Sequence, residues 1–399
     1  MNNTQRVTLA SFIAYFVMSG MLAPIGILSA PMAETFNETV SGVTARFSWL
    51  TIGVLVGAII ALFAFDVLRL RWLMVGIYST ITGCLLALTF VDTLVLAGWM
   101  LGIVGVCCGI GLPGAALLIS RLYADEMRAS MLVITDGAFS VSGIVCSWLA
   151  VTLVAQQFPW SGTYLFVGLM AALIVVLILL ADLPEARANE ADELTTQWSP
   201  GVWLCLVALF LYTFGQWCFL LWLPNYAEVT LGAPRAEAGQ IVGQFWSGMF
   251  AAQLFVAWWV VRVGVPRLVV IAGLSTVLFS LPLWLHDSIE GLIWLALLFG
   301  FANLGLLKII LSYATQMVTA PSPRLISSLL LGATIGTAVS PWITSQLVEL
   351  TSNHRILQVG TLSYVCMLVL LVVASRYYVP IHSQAPATEP HADPRDRLS

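Results

Sequence analysis

One lysine occurs in 399 residues, Lys308, and it lies inside an apolar run long enough to cross a bilayer, GLIWLALLFGFANLGLLKIILSYATQMV (291–318). An ammonium group at the centre of a membrane costs about 2.5–3.5 kcal/mol on insertion scales unless it meets a counter-charge or water. Two chemistries would repay that cost: pairing with a carboxylate, or holding an anionic solute. One carboxylate sits well inside a hydrophobic stretch, Asp136 of SMLVITDGAFSVSG. Counted from Ala129 at helical rise it is about 10 Å deep, and Lys308, counted from Val318, about 15 Å. A lysine stem can lean across that difference toward an interface.

Amides and aromatic rings in other apolar runs extend the candidate set. Gln216 falls in the middle of LFLYTFGQWCFLLWLPNYAEVTLG, next to Trp217 and Trp222. An amide in lipid needs a partner or a wet cavity, so Gln216 is a candidate contact for a polar ligand. Gln244 and Trp246, with Gln253, mark the following run, and Asn303 precedes Lys308. Asp66, Arg69 and Arg71 stand together in ALFAFDVLRLRW, where an acidic helix end can latch onto arginines; a plain basic loop would explain the arginines alone. No His/Glu, Ser/Lys or Asp pair has catalytic spacing, and the four histidines form no metal cluster. The seven cysteines lie in apolar runs without ligand or redox spacing and read as inert. We expect no cofactor, no metal and no enzyme activity. No nucleotide-binding G-x-x-x-x-G-K-[ST] segment occurs.

These residues need long helices to position them. Sixty per cent of the residues are apolar and 9 % charged, against about 25 % charged in soluble domains. The composition excludes a soluble fold, and no basic patch suggests nucleic acid. Twelve spans are predicted, near 7–32, 46–65, 72–91, 94–119, 130–154, 160–181, 201–224, 238–261, 267–285, 291–318, 325–348 and 356–378. With the N-terminus in the cytoplasm, twelve arginines fall inside and three outside, which places both termini in the cytoplasm. The polar segment 182–200 divides six spans (1–181) from six (201–378), and a Pro- and charge-rich tail, 379–399, reads as disordered.

The halves match weakly. RWLMVGIYST (71–80) aligns with RLVVIAGLST (267–276), and Gly137-Ala138 aligns with Gly332-Ala333 at an offset of 195. Two parallel six-helix repeats describe the major facilitator fold: an all-α membrane protein of two pseudo-symmetric bundles. The fourth span repeats glycine (98, 102, 105, 109, 111, 114), as helices that pack closely do.

The segments VITDGAFSVSG, YTFGQWCFLLWLPNY, QFWSGM and APSPRLISSLLLGATIGT with SQLVEL resemble the TsgA-type proteins. Those are a branch of the fucose/glucose/galactose:proton symporter group of the major facilitator superfamily. The resemblance implies a monomeric inner-membrane secondary transporter of a small polar solute, with protons as a candidate coupling partner and Gly215-Gln216 contacting substrate. A fucose-carrying member of that group uses an aspartate in the first span and a glutamate in the fourth; residues 7–32 and 94–119 contain no aspartate or glutamate. Efflux, anion transport through Lys308, and a non-transporting sensor stand as alternatives. On this reading Asp136 and Lys308 pair across the halves when the protein opens outward and part when the cytoplasmic side opens. A free Lys308 holding an anion in a wet cavity, or one snorkelling to the interface, are the rival readings. For Asp136 the rival is an interfacial group hydrated from the cytoplasm.

Overall fold

The computed structural model describes residues 2–123, 125–183, 198–303, 305–318 and 323–378, and among these every regular element is a helix. A chain this apolar has no alternative: in hydrocarbon each backbone amide and carbonyl must be satisfied within its own segment. The first half comprises α1 (Asn3–Leu22), α2 (Ile25–Phe36), α3 (Val40–Val67), α4 (Leu70–Ala87), α5 (Leu94–Leu122), α6 (Asp125–Ala155) and α7 (Gly162–Leu179). The second comprises α8 (Pro200–Thr230), α9 (Arg235–Val263), α10 (Val265–Ser280), α11 (Ile289–Ala302), α12 (Leu306–Thr315), α13 (Pro323–Leu350) and α14 (Asn353–Ala374). Residues 184–197 of the expected linker and the tail 379–399 lie outside the described residues.

Among the described residues, ten helices are long and apolar enough to cross a membrane, and the bent pair α1–α2 makes an eleventh. With α9 the chain runs as twelve rods, two of which depart from the continuous spans expected. The first bends by 52° between Leu22 and Ile25, at Pro24, where proline removes an amide from the ladder. The tenth breaks between Ala302 and Leu306.

Both ends of the described residues lie on one face, here the terminal face. Asn3 exchanges hydrogen bonds with the backbone of Asp182, and Gly201 packs against Tyr377. Helices α3, α5, α11 and α14 start on the opposite face, where Thr39, Thr93, Ser288 and Ser352 accept amide hydrogens of the first turn. Such caps satisfy donors that the helix leaves orphaned.

Within each half, a matching glycine seam brings two helices into backbone contact. A β-carbon on Gly53 or Gly105 would run into the backbone at Gly102 or Leu50, joining α3 to α5. Gly248 and Gly300 do the same for α9 and α11, against the carbonyls of Leu297 and Phe245. Gly53 and Gly248, like Gly105 and Gly300, are 195 residues apart. The seams are therefore repeats of one device, the close packing that small residues allow in membranes.

The halves meet through α3 on α13, α6 on α9, and α2 on α8 and α9. Their contacts start at the opposite face, where the Ser41 hydroxyl donates to Glu349 at 3.0 Å. They reach mid-helix, where Thr51 donates to the Ala338 carbonyl at 2.9 Å and Gln253 to Ser140 at 2.9 Å.

Candidate functional site

Asp136 lies one helical turn from Ser140, toward the terminal face, about 6 Å at helical rise. Its carboxylate forms an ion pair with Lys308 of the other half. The two side chains keep 33 % and 42 % of their exposure. A β-carbon at Gly137 or Gly305 would meet nothing within 4 Å, so space adjoins Asp136 and the turn before Lys308. Removing one partner of a fully buried pair costs about 3–5 kcal/mol; exposure on this scale makes the cost here smaller.

Backbone chemistry at the break sets the position of Lys308. Gly305 adopts φ +62°, a left-handed conformation that costs a residue with a β-carbon about 1–2 kcal/mol. The helix restarts there, and the amides of Lys308 and Ile309 bond to the Gly305 carbonyl. The Leu306 amide turns to Asn303, so the Ala302 carbonyl loses its helical donor. Ser275 and Thr276 of α10 supply replacements at 2.9 and 3.2 Å. Lys308 is thus the third residue of a ten-residue helix. Cations are disfavoured in that first turn, where the helix dipole is itself positive. Ammonium and helix end together concentrate positive charge opposite a single carboxylate.

The pair joins α6 to α12 across the two halves, which also meet through α3 on α13 and α6 on α9.

The remaining candidates divide. Asn303 is fully buried at the break; its amide nitrogen donates to the Phe299 carbonyl at 2.7 Å, and its side-chain oxygen has no partner among the described residues. Gln216 is 7 % exposed and points its amide at the Met249 sulfur, 3.9 Å away, between α8 and α9 of its own half. Gln244 is partly buried. Trp246 is buried against Gly143 of α6, filling the place a β-carbon would take, with its ring 5.8 Å from that of Phe139. Trp246 is thus part of the seal between halves. Of the expected latch, Arg71 donates to the Leu179 carbonyl at 2.6 Å, capping α7, and Arg69 is exposed. The Asp66 side chain lies outside the described residues.

A second charged cluster at the opposite face was not anticipated. Arg235 makes a bidentate bond to Glu34 of the other half, at 2.6 and 3.0 Å, and reaches Glu228 at 3.3 Å. The hydrogen-bonded Glu34 carboxylate holds the guanidinium above its ordinary pKa. A cleft of about 910 Å³ opens beside this cluster, lined in part by Asp92, Phe158 and Trp160. In sequence, Arg235 is one of the three arginines that the orientation places outside.

Comparison with known proteins agrees with this fold. The family profile described as Major Facilitator Superfamily matches residues 7–234 and 205–397. The chain is 26 % identical over 378 residues to the protein TsgA homolog of Edwardsiella ictaluri (strain 93-146), covering 93 % of this chain and 95 % of that one. Protein TsgA of Shigella flexneri is 27 % identical over 362 residues, covering 88 % and 90 %. Among solved structures, the nucleoside transporter NupG superposes with a TM-score of 0.70 at 14 % identity over 95 % of this chain and all of that one. A bacterial homolog of the human lysosomal transporter Spinster, inward-facing and occupied, gives 0.66 at 16 % identity over 94 % and 95 %. At such identities the structural likeness concerns the fold.

Proposed function

The chain belongs to the major facilitator superfamily, and from that premise we propose that it carries a small polar solute across the bacterial inner membrane by alternating access, coupled to protons. As a member it is a multi-pass membrane transporter and not an enzyme. The reading is supported by one observation: two halves that meet through α3 on α13 and α6 on α9, with a cross-half ion pair that is still partly exposed. On this reading the protein opens in turn toward its terminal face, which the arginine bias assigns to the cytoplasm. Asp136 is the group that takes the coupling proton, and Lys308 the group that meets solute or Asp136. The protein works as a monomer on this reading, since both partners come from one chain.

Counterflow in proteoliposomes tests it. Protein preloaded with a sugar, a carboxylate or an oxyanion should accelerate entry of the labelled form of one of them, and Lys308→Ala should abolish that entry. Correctly folded protein that exchanges none of these classes would exclude the transport reading in favour of a sensor.

A further inference from the structure

We infer that the solute is an anion that competes with Asp136 for Lys308, so that each anion bound sends one proton onto Asp136. The inference rests on the transport reading above and names its substrate class.

The charge balance of the site carries it. Asp136 and Lys308 neutralise each other across the halves. The carboxylates on neighbouring elements, Glu34, Glu228, Glu237 and Glu349, sit at the opposite-face ends of α2, α8, α9 and α13. The arginines Arg6, Arg121, Arg262 and Arg267 sit at terminal-face ends, and Asp125 and Glu126 begin α6 about three turns before Asp136. None of these lies at the depth of the pair. A neutral ligand leaves the pair intact and makes no use of the one lysine in the chain. A cation would take Asp136 and leave Lys308 facing the positive end of α12, two like charges together. An anion has the opposite result: it meets the ammonium and the helix end at once, and the released carboxylate becomes neutral by accepting a proton from water. The exchange balances, since Lys308 stays protonated, Asp136 gains one proton, and one negative charge enters with it. The two side chains keep 33 % and 42 % of their exposure, so the pair is open to an incoming group.

The test uses the full chain in lipid nanodiscs, weakly buffered, with formate, lactate, phosphate and sulfate as anion probes. D-galactose, choline and glycine betaine serve as neutral, cationic and zwitterionic probes. We expect one proton taken up per anion bound, and affinity that weakens about tenfold per pH unit where Asp136 is ionised. Asp136→Asn should bind the same anion at least as tightly, with no proton uptake and no pH dependence. Lys308→Gln should lose the anion. The double variant Lys308→Gln with Asp136→Asn strands no charge, so it should fold and still bind no anion. Betaine bound without proton uptake overturns the anion class, as does the absence of uptake with all four anions. Counterflow of galactose that survives Lys308→Gln overturns this inference and leaves transport standing. Anion-driven proton uptake without counterflow overturns the transport reading alone.

Discussion

The indole of Trp246 occupies the place that a β-carbon on Gly143 would need, and the two residues belong to different halves of the molecule. Gly143→Ala therefore overpacks a single interface, at a cost of about 1–3 kcal/mol. The penalty falls only on arrangements in which α6 and α9 are in contact, and 1.4 kcal/mol changes a population tenfold. Spin labels at Glu38 and Ser352, on a cysteine-free background, should report a longer distance across the opposite face in Gly143→Ala. Adding Trp246→Leu should restore the shorter one. An unchanged distance would remove Gly143 from the seal.

Arg235 links Glu34 of one half to Glu228 of the other through two carboxylates. An ordinary glutamate has a pKa of about 4.3, so the Glu34 bond is intact at neutral pH and is lost as the carboxylate protonates in acid. The Arg235 hydrogen bonds hold the Glu34 carboxyl below its ordinary range, so closure of the opposite face should loosen only in acid, as pH falls through that lowered pKa. Glu34→Gln should be loosened at every pH. Glu34 keeps 66 % of its side-chain exposure, so the effect is small, within the 0–1 kcal/mol of surface pairs, and weaker in high salt. The same pair of spin labels, followed through a pH titration, measures it.

The Ser275 and Thr276 hydroxyls both reach the Ala302 carbonyl, and each can donate to the Ala272 carbonyl instead, so either can cover for the other. Ser275→Ala or Thr276→Val alone should lower thermal stability in detergent only slightly. The double variant leaves a buried acceptor without a donor, at about 1–3 kcal/mol. A double variant as stable as either single would mean that the carbonyl is satisfied elsewhere.

Glycines supply a matched control. Gly105→Ala and Gly300→Ala press a methyl onto backbone carbonyls, which cannot swing aside, and both should destabilise strongly and alike. At Gly76 and Gly83 nothing lies within 4 Å. Alanine there should be neutral or stabilising by up to about 1 kcal/mol, as alanine is over glycine in a helix. Melting curves of the four variants decide it.

Much of this architecture is legible in hydropathy, because a bilayer rewards one pattern only. The all-helical membrane fold and the ion pair of Lys308 with Asp136 follow from what polar groups and charge cost in hydrocarbon. The glycine correspondence was legible too, since the offset of 195 that joins Gly137 to Gly332 also joins Gly53 to Gly248 and Gly105 to Gly300. The break at Asn303–Gly305 was not: Asn303 and Gly305 read as ordinary members of an apolar run. Only the arrival of Ser275 and Thr276 from α10 makes the interruption affordable. Trp246 and Gln216 were singled out for polarity, but their surroundings are decided by neighbours in distant sequence. Gly143 gave no signal beyond its composition. Arg235 looked like orientation bias because its partner Glu34 is 201 residues away.

The break in the tenth rod has a mechanical consequence. Helix α11 is riveted to α9 through Gly248 and Gly300, so the two must travel together. Helix α12 lies past the rivets, connected through a left-handed glycine, and carries the lysine on its first turn. It is a jointed segment and not a rigid extension of α11, so its lysine is held from two sides: by its own half through Gly305 and by the other half through Asp136.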